Sequence, residues 1–112
     1  MKQTYNIRIR NLNKSDEYPD DTRLVPVEGK IIETHELLPI KFFIHRTLLY
    51  PGEYSKFSWT VTEFETGFSM ASGKTQKESL GQLSGRIDSR GLTIPRMQGV
   101  IADNVNRYGK AN

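Results

Sequence analysis

Ser72-Gly73-Lys74-Thr75-Gln76-Lys77-Glu78 marks the point where the apolar period of this chain changes from two residues to helical spacing. Before it, Phe57, Trp59 and Val61 alternate with Ser58, Thr60 and Thr62, and Phe68 and Met70 lead a returning strand toward Gly73. After it, Leu80, Leu83 and Ile87 recur as one stripe of a helix. Thr75 is spaced to accept from the amide of Glu78 while the Glu78 side chain reaches back, the reciprocal pattern of a capping box. Strands therefore precede this junction and helices follow it.

Upstream, Tyr5, Ile7 and Ile9 alternate with Asn6, Arg8 and Arg10, which predicts a first strand with one dry and one wet face. Residues 11–21 are polar, with Asp16, Glu17, Asp20 and Asp21 around Pro19, and read as a surface loop. Leu24, Val25 and Val27 are followed by Glu28-Gly29-Lys30 and then Ile31-Ile32, so the pattern predicts a short hairpin turning at Gly29. Pro26 places that segment at a sheet edge.

Ile40 to Leu49 is dense in β-branched and aromatic residues on both faces, as expected of a central strand covered on two sides. Turn chemistry at Tyr50-Pro51-Gly52-Glu53 and at Glu65-Thr66-Gly67 makes residues 40–72 an antiparallel meander, with Ser58, Thr60 and Thr62 turned to solvent. Downstream, Gly91 stops the first helix. Pro95 then opens a second, whose stripe is Met97, Val100, Ile101, Val105 and Tyr108 and whose end is Gly109. The expected fold is α+β, one domain over residues 1–112. It is an antiparallel sheet of about four to six strands with two C-terminal helices packed on one face.

The 112 residues suffice for one modest core, and no apolar run approaches the length of a membrane span. The start, Met1-Lys2-Gln3-Thr4-Tyr5, lacks the apolar stretch of a secretory signal, which points to the cytoplasm. With no cysteine, disulfides, thiolate metal sites and thiol nucleophiles are excluded. The net charge of +3 is unevenly spread: residues 1–73 carry nine Lys/Arg against ten Asp/Glu, and residues 74–112 carry seven against three. A basic C-terminal third suits phosphate-rich or acidic partners.

Gly73-Lys74-Thr75 resembles the end of a phosphate-binding loop, but Gly67 lies one residue too far upstream for that pattern and no strand ending in a metal-binding Asp accompanies it. Pro19-Asp20 with Glu28-Gly29-Lys30 is similar to the acid and lysine elements of a metal-dependent nuclease family. Its gap of seven residues is short, and the Gly29 turn would put these groups on a flexible tip. Glu33, His35 and His45 have no diagnostic metal spacing. Ser69, in Gly67-Phe68-Ser69-Met70-Ala71, has too short a chain around it for a hydrolase elbow. Phe42, Phe43, Phe57, Trp59 and Phe64 are assigned to the interior, base stacking being their alternative role.

Residues 56–90 partly resemble the strand-strand-strand-helix half of double-stranded-RNA-binding domains, and HicB-type antitoxins are similar in outline. Gly73 and Thr75 match the lead-in and Lys77 matches one basic position, while Gln76 and Leu80 stand where that family tends to carry lysine. The resemblance implies a helix start that faces phosphates.

The sequence thus predicts a non-enzymatic module without cofactor or metal. It would contact nucleic acid or a nucleoprotein complex through Lys74, Thr75 and Lys77, with Arg86, Arg90, Arg96 and Arg107 as further cationic candidates. Spacing also fits ion pairing on the second helix, where Asp103 precedes Arg107 by four residues. The competing expectation is a protein-protein adaptor or inhibitor of a larger host machine, of the type encoded by mobile genetic elements. It would use the edge near Leu24 to Ile32 or the acidic residues Asp16 to Asp21.

Overall fold

The structure, a computed structural model, describes residues 3–10, 22–32, 40–50, 53–91 and 93–112. Five strands, β1 (Gln3–Arg10), β2 (Thr22–Ile31), β3 (Phe42–Tyr50), β4 (Glu53–Glu63) and β5 (Ser69–Gly73), form one sheet in sequence order with every neighbouring pair antiparallel. Two helices follow, α1 (Gln76–Arg90) and α2 (Ile94–Tyr108). The architecture is the expected α+β arrangement. The loop predicted at residues 11–21, the turn at Pro51-Gly52, and Glu33 and His35 lie outside the described residues.

β3 is the central strand, and Phe42, Phe43, Ile44 and His45 are buried in succession. Strand side chains alternate, so four consecutive buried residues require cover on both faces. On one face Phe42 and Ile44 join Val61, Ala71, Leu83, Met97 and Ile101, which places both helices over that side. On the other, Phe43 packs with Ile7, Val25 and Val27, all from the sheet itself. The sheet therefore curls. The Arg8 N–H of β1 donates to Gly67 O at 2.8 Å, joining the first strand to the turn that links β4 and β5. Gly67 sits at φ 75°, and a Cβ there would fall 2.8 Å from Arg8 N, so glycine permits both the turn and the contact.

This curl overturns the expectation that Thr60 and Thr62 face solvent. Both are buried, and their hydroxyls are paired: Thr62 Oγ1 lies 2.7 Å from His45 Nε2, and Thr60 Oγ1 lies 2.8 Å from Thr47 Oγ1. Because His45 Nδ1 is 2.8 Å from Arg46 O, which can only accept, Nδ1 carries the proton and neutral Nε2 accepts from Thr62. Threonine fits here because its branched body suits a strand while its hydroxyl finds a partner.

The hairpin predicted at Gly29 is also overturned, since β2 runs unbroken through Glu28-Gly29-Lys30. Gly29 pairs with Gln3 on one side and His45 on the other. A Cβ there would meet Ile44 O at 2.9 Å and the Phe43 ring at 3.2 Å. The glycine thus marks a close approach between strands rather than a turn. Pro26 is a local edge, as its residue type demands. β2 pairs with β3 only over Gly29–Ile31, so Pro26 has β1 alongside and no paired β3 residue opposite. The strand as a whole lies between β1 and β3, so the free edge expected over Leu24 to Ile32 is confined to its first part.

Beyond β4, buried Glu63 nails the turn. Its carboxylate accepts from the amides of Glu65 and Thr66. Burial nevertheless pushes its carboxyl up to about 6 from an ordinary 4.5, those N–H groups opposing the rise. The His45 imidazole moves the other way, held below its ordinary 6.5 by burial.

Gly29→Ala should lower the unfolding free energy by about 1–3 kcal/mol, because a backbone carbonyl rather than a flexible side chain must yield; unchanged denaturant midpoints would contradict the close approach. Folded Glu63 keeps a proton that the unfolded chain releases, so its contribution to stability is present below about 4.5 and is lost as pH rises through about 6. His45 acts oppositely, removing stability as pH falls below its ordinary 6.5. Subtracting the curve of a Glu63→Gln variant isolates the carboxyl. The wild-type advantage should shrink by on the order of 1–2 kcal/mol between pH 4.5 and 6.5, and a flat difference would refute the assignment.

Candidate nucleic-acid interface

α1 begins directly after β5, and the junction is tight. A Cβ at Gly73 would lie 2.8 Å from Ser79 N, so the first helical turn sits on the strand backbone itself. Ser79 faces that contact and is fully buried, with Oγ 3.1 Å from Trp59 O and 2.9 Å from Thr75 O. Leu83 enters the core one turn later, whereas Leu80 remains 36% exposed, a departure from the expected stripe. Only a small side chain fits where helix and strand meet this closely, so serine takes the inward position and Leu80 is rotated outward.

Thr75 Oγ1 accepts the Glu78 N–H at 3.0 Å, the forward half of the predicted capping box. Lys74, Thr75, Gln76 and Lys77 are all exposed around this start. The first intrahelical bond recorded beside the cap runs from Ser79 N–H to Thr75 O. The amides of residues 76 and 77 therefore precede the hydrogen-bonded ladder and carry the positive end of the helix dipole.

Beside the helix start lies a cleft of about 380 Å³, lined by Ile44 and Trp59 with Gly29, Glu28, Lys30, Arg46, Tyr54 and Gln76 around them. Arg46 and Trp59 are direct partners across β3 and β4. The guanidinium carbon stands 4.0 Å from the indole centroid, and Arg46 Nη1 donates to Lys56 O at 2.9 Å. Stacked below and tethered at one end, the exposed Arg46 is a fixed planar cation. Tyr54 OH donates to Pro26 O at 3.2 Å and holds the far wall. The interior assignment of the rings holds for Phe42 and Phe43, but Trp59 is half-buried beneath Arg46 and Phe57 is 80% exposed. A register irregularity in β3 and β4 beyond Arg46 disturbs the alternation there.

The remaining cations are spread out. Arg86 is exposed about 13 Å along α1 from Lys77, on the rim of a separate cavity shared with Ser72 and Ile7. Arg90 ends α1, and its side chain lies outside the described residues. Arg96 is exposed in the first turn of α2, where its amide donates to Thr93 Oγ1. Arg107, about 16 Å away along the axis, lies 5.2 Å from the Tyr108 ring. That ring also meets Arg8, which donates to Gly109 O and Thr66 O. The structure thus brings Lys74, Thr75 and Lys77 together, and it adds Arg46, Lys30 and Trp59, which the sequence reading had not grouped with them. The hint was only a register: an arginine and an aromatic in facing strands become neighbours once Arg46 pairs with Trp59.

Glu28 and Lys30 stand on a continuous strand rather than a turn tip, while Asp20 lies outside the described residues. Among the described residues no cluster of three His, Asp or Glu side chains is arranged to hold a metal ion, and no helix is long and apolar enough to cross a membrane. Compared with protein-family models, curated proteins and solved structures, the chain matches none of them.

Proposed function

We propose that this chain is a non-enzymatic binding module that contacts nucleic acid, free or within a nucleoprotein complex, through the start of α1. The observation that carries this reading is the exposed Lys74-Thr75-Gln76-Lys77 corner standing over a cleft floored by a stacked arginine. Lys74 and Lys77 meet phosphate charge, and the first-turn amides orient it. Arg86 and Arg96 are exposed and extend the positive field. Each lysine that neutralises a phosphate releases a condensed counterion, so affinity falls steeply with salt.

A second reading, a protein-protein adaptor or inhibitor of a larger machine, is favoured by Leu49 at 57% exposure and Phe57 at 80%. These are large apolar side chains presented to solvent on β3 and β4. It predicts a stoichiometric protein complex that survives nuclease and salt and is lost in Phe57→Ser.

For the first reading, binding of an oligonucleotide duplex should give a steep negative slope of log affinity against log salt. Lys74→Ala with Lys77→Ala should make that slope shallower by about 1.5 to 2 and weaken binding. An unchanged slope in the double variant removes α1 as the contact.

A further inference from the structure

Arg46 is exposed above Trp59 and fixed by Lys56 O, so its outer face offers a flat, charged surface that needs no rearrangement to be used. The cleft around it opens because the helices cover β3, β4 and β5, whereas Glu28 and Lys30 on the same side of β2 are exposed. Cross-strand pairing of Lys30 with Ile44 puts that lysine on the helix-bearing side, across the cleft from Gln76. The lining combines two cations with one acid, Glu28, and Lys74 follows directly after Gly73, the strand partner of Trp59. An aromatic-backed guanidinium with lysines at its margins is complementary to a planar base carrying a phosphate.

We infer that this cleft takes one unpaired base of a single-stranded nucleic acid, stacked on the Arg46 guanidinium above Trp59. This rests on the phosphate contact assigned to α1 and specifies what lies beside it. The base rests against Arg46, Gln76 and Tyr54 reach its edge, and the flanking phosphates run toward Lys74 on one side and Lys30 on the other. A paired base has both of its faces occupied by its neighbours in the duplex, so the cleft selects single strands, ends or bulges. Its volume, about 380 Å³, is at the small end of the range for small-molecule sites, which suits one base rather than several.

The test uses the chain's single tryptophan, Trp59, as the reporter. Three probes carry the same number of phosphates per strand: a single strand of about 12 nucleotides, its duplex, and an abasic strand. The single strand should quench Trp59 emission and bind roughly five- to fiftyfold more tightly than the abasic strand. Arg46→Lys, which keeps the charge and removes the plane, should erase most of that advantage, bringing the affinity for the single strand close to that for the abasic strand. Arg46 is exposed, and the wild-type comparison of the two strands needs no variant at all. Equal binding of strand and abasic strand, unquenched emission, or a preference for duplex overturns the base site. If salt-dependent binding through Lys74 and Lys77 persists in that case, the phosphate contact stands alone. Binding of none of the three probes overturns both.

Discussion

Four successive buried side chains in β3 govern the molecule. Phe42 and Ile44 point one way and Phe43 and His45 the other, so neither face of the central strand can be left wet. Chain length limits how both are covered. The two helices supply one lid, and the sheet itself supplies the other by coiling until β1 meets the turn after β4. Helices spent on β3, β4 and β5 leave the outer part of β2 bare on their own side. The cleft beside Trp59 is the consequence, a gap between covered and uncovered sheet rather than a hollow within the core.

Coiling brings polar residues inside, and each is matched. Across β3 and β4, His45 pairs with Thr62, and Thr47 pairs with both Thr60 and Ser58. A slip of β4 by one residue would turn its threonines to the other face, against Phe42 and Ile44, at a penalty of the order of 1–3 kcal/mol for each unpaired group. The network therefore fixes the alignment of the two strands on which Arg46 and Trp59 are opposed. Specific pairing inside the sheet and the platform on its outer surface share one cause.

Much of the fold was legible. β1, β3, both helices, the cap at Thr75 and the stop at Gly109 follow from period, capping chemistry and turn residues, which are local, whereas the Thr93 cap of α2 emerges only in the structure. What escaped depended on partners distant in sequence. Gly29 looks like a turn residue until Phe43 and Ile44 are seen pressing on it, and Thr60 and Thr62 look solvated until the curl encloses them. Of the candidate site, Lys74, Thr75 and Lys77 are grouped by the sequence itself because they fall within four consecutive residues. Arg46 and Trp59 lie thirteen residues apart and become a unit only through pairing of β3 with β4. Leu80 shows that period alone does not choose the buried residue, since the tight seat on Gly73 gives that place to Ser79.

The tail of the chain makes an unusual strand mimic. Asn6 of β1 donates its N–H to Asn112 Oδ1 at 2.8 Å and accepts from Asn112 Nδ2 at 2.9 Å, so one carboxamide satisfies both outward main-chain groups of that residue. Asn112 Nδ2 also reaches Phe64 O, and the Ala111 N–H donates to Glu65 O. A bare β-edge is a template on which a second molecule can add a strand. Here the template is already filled by a side-chain amide of the same chain, so sheets of neighbouring molecules find no open seam at Asn6 along which to zip into fibrils.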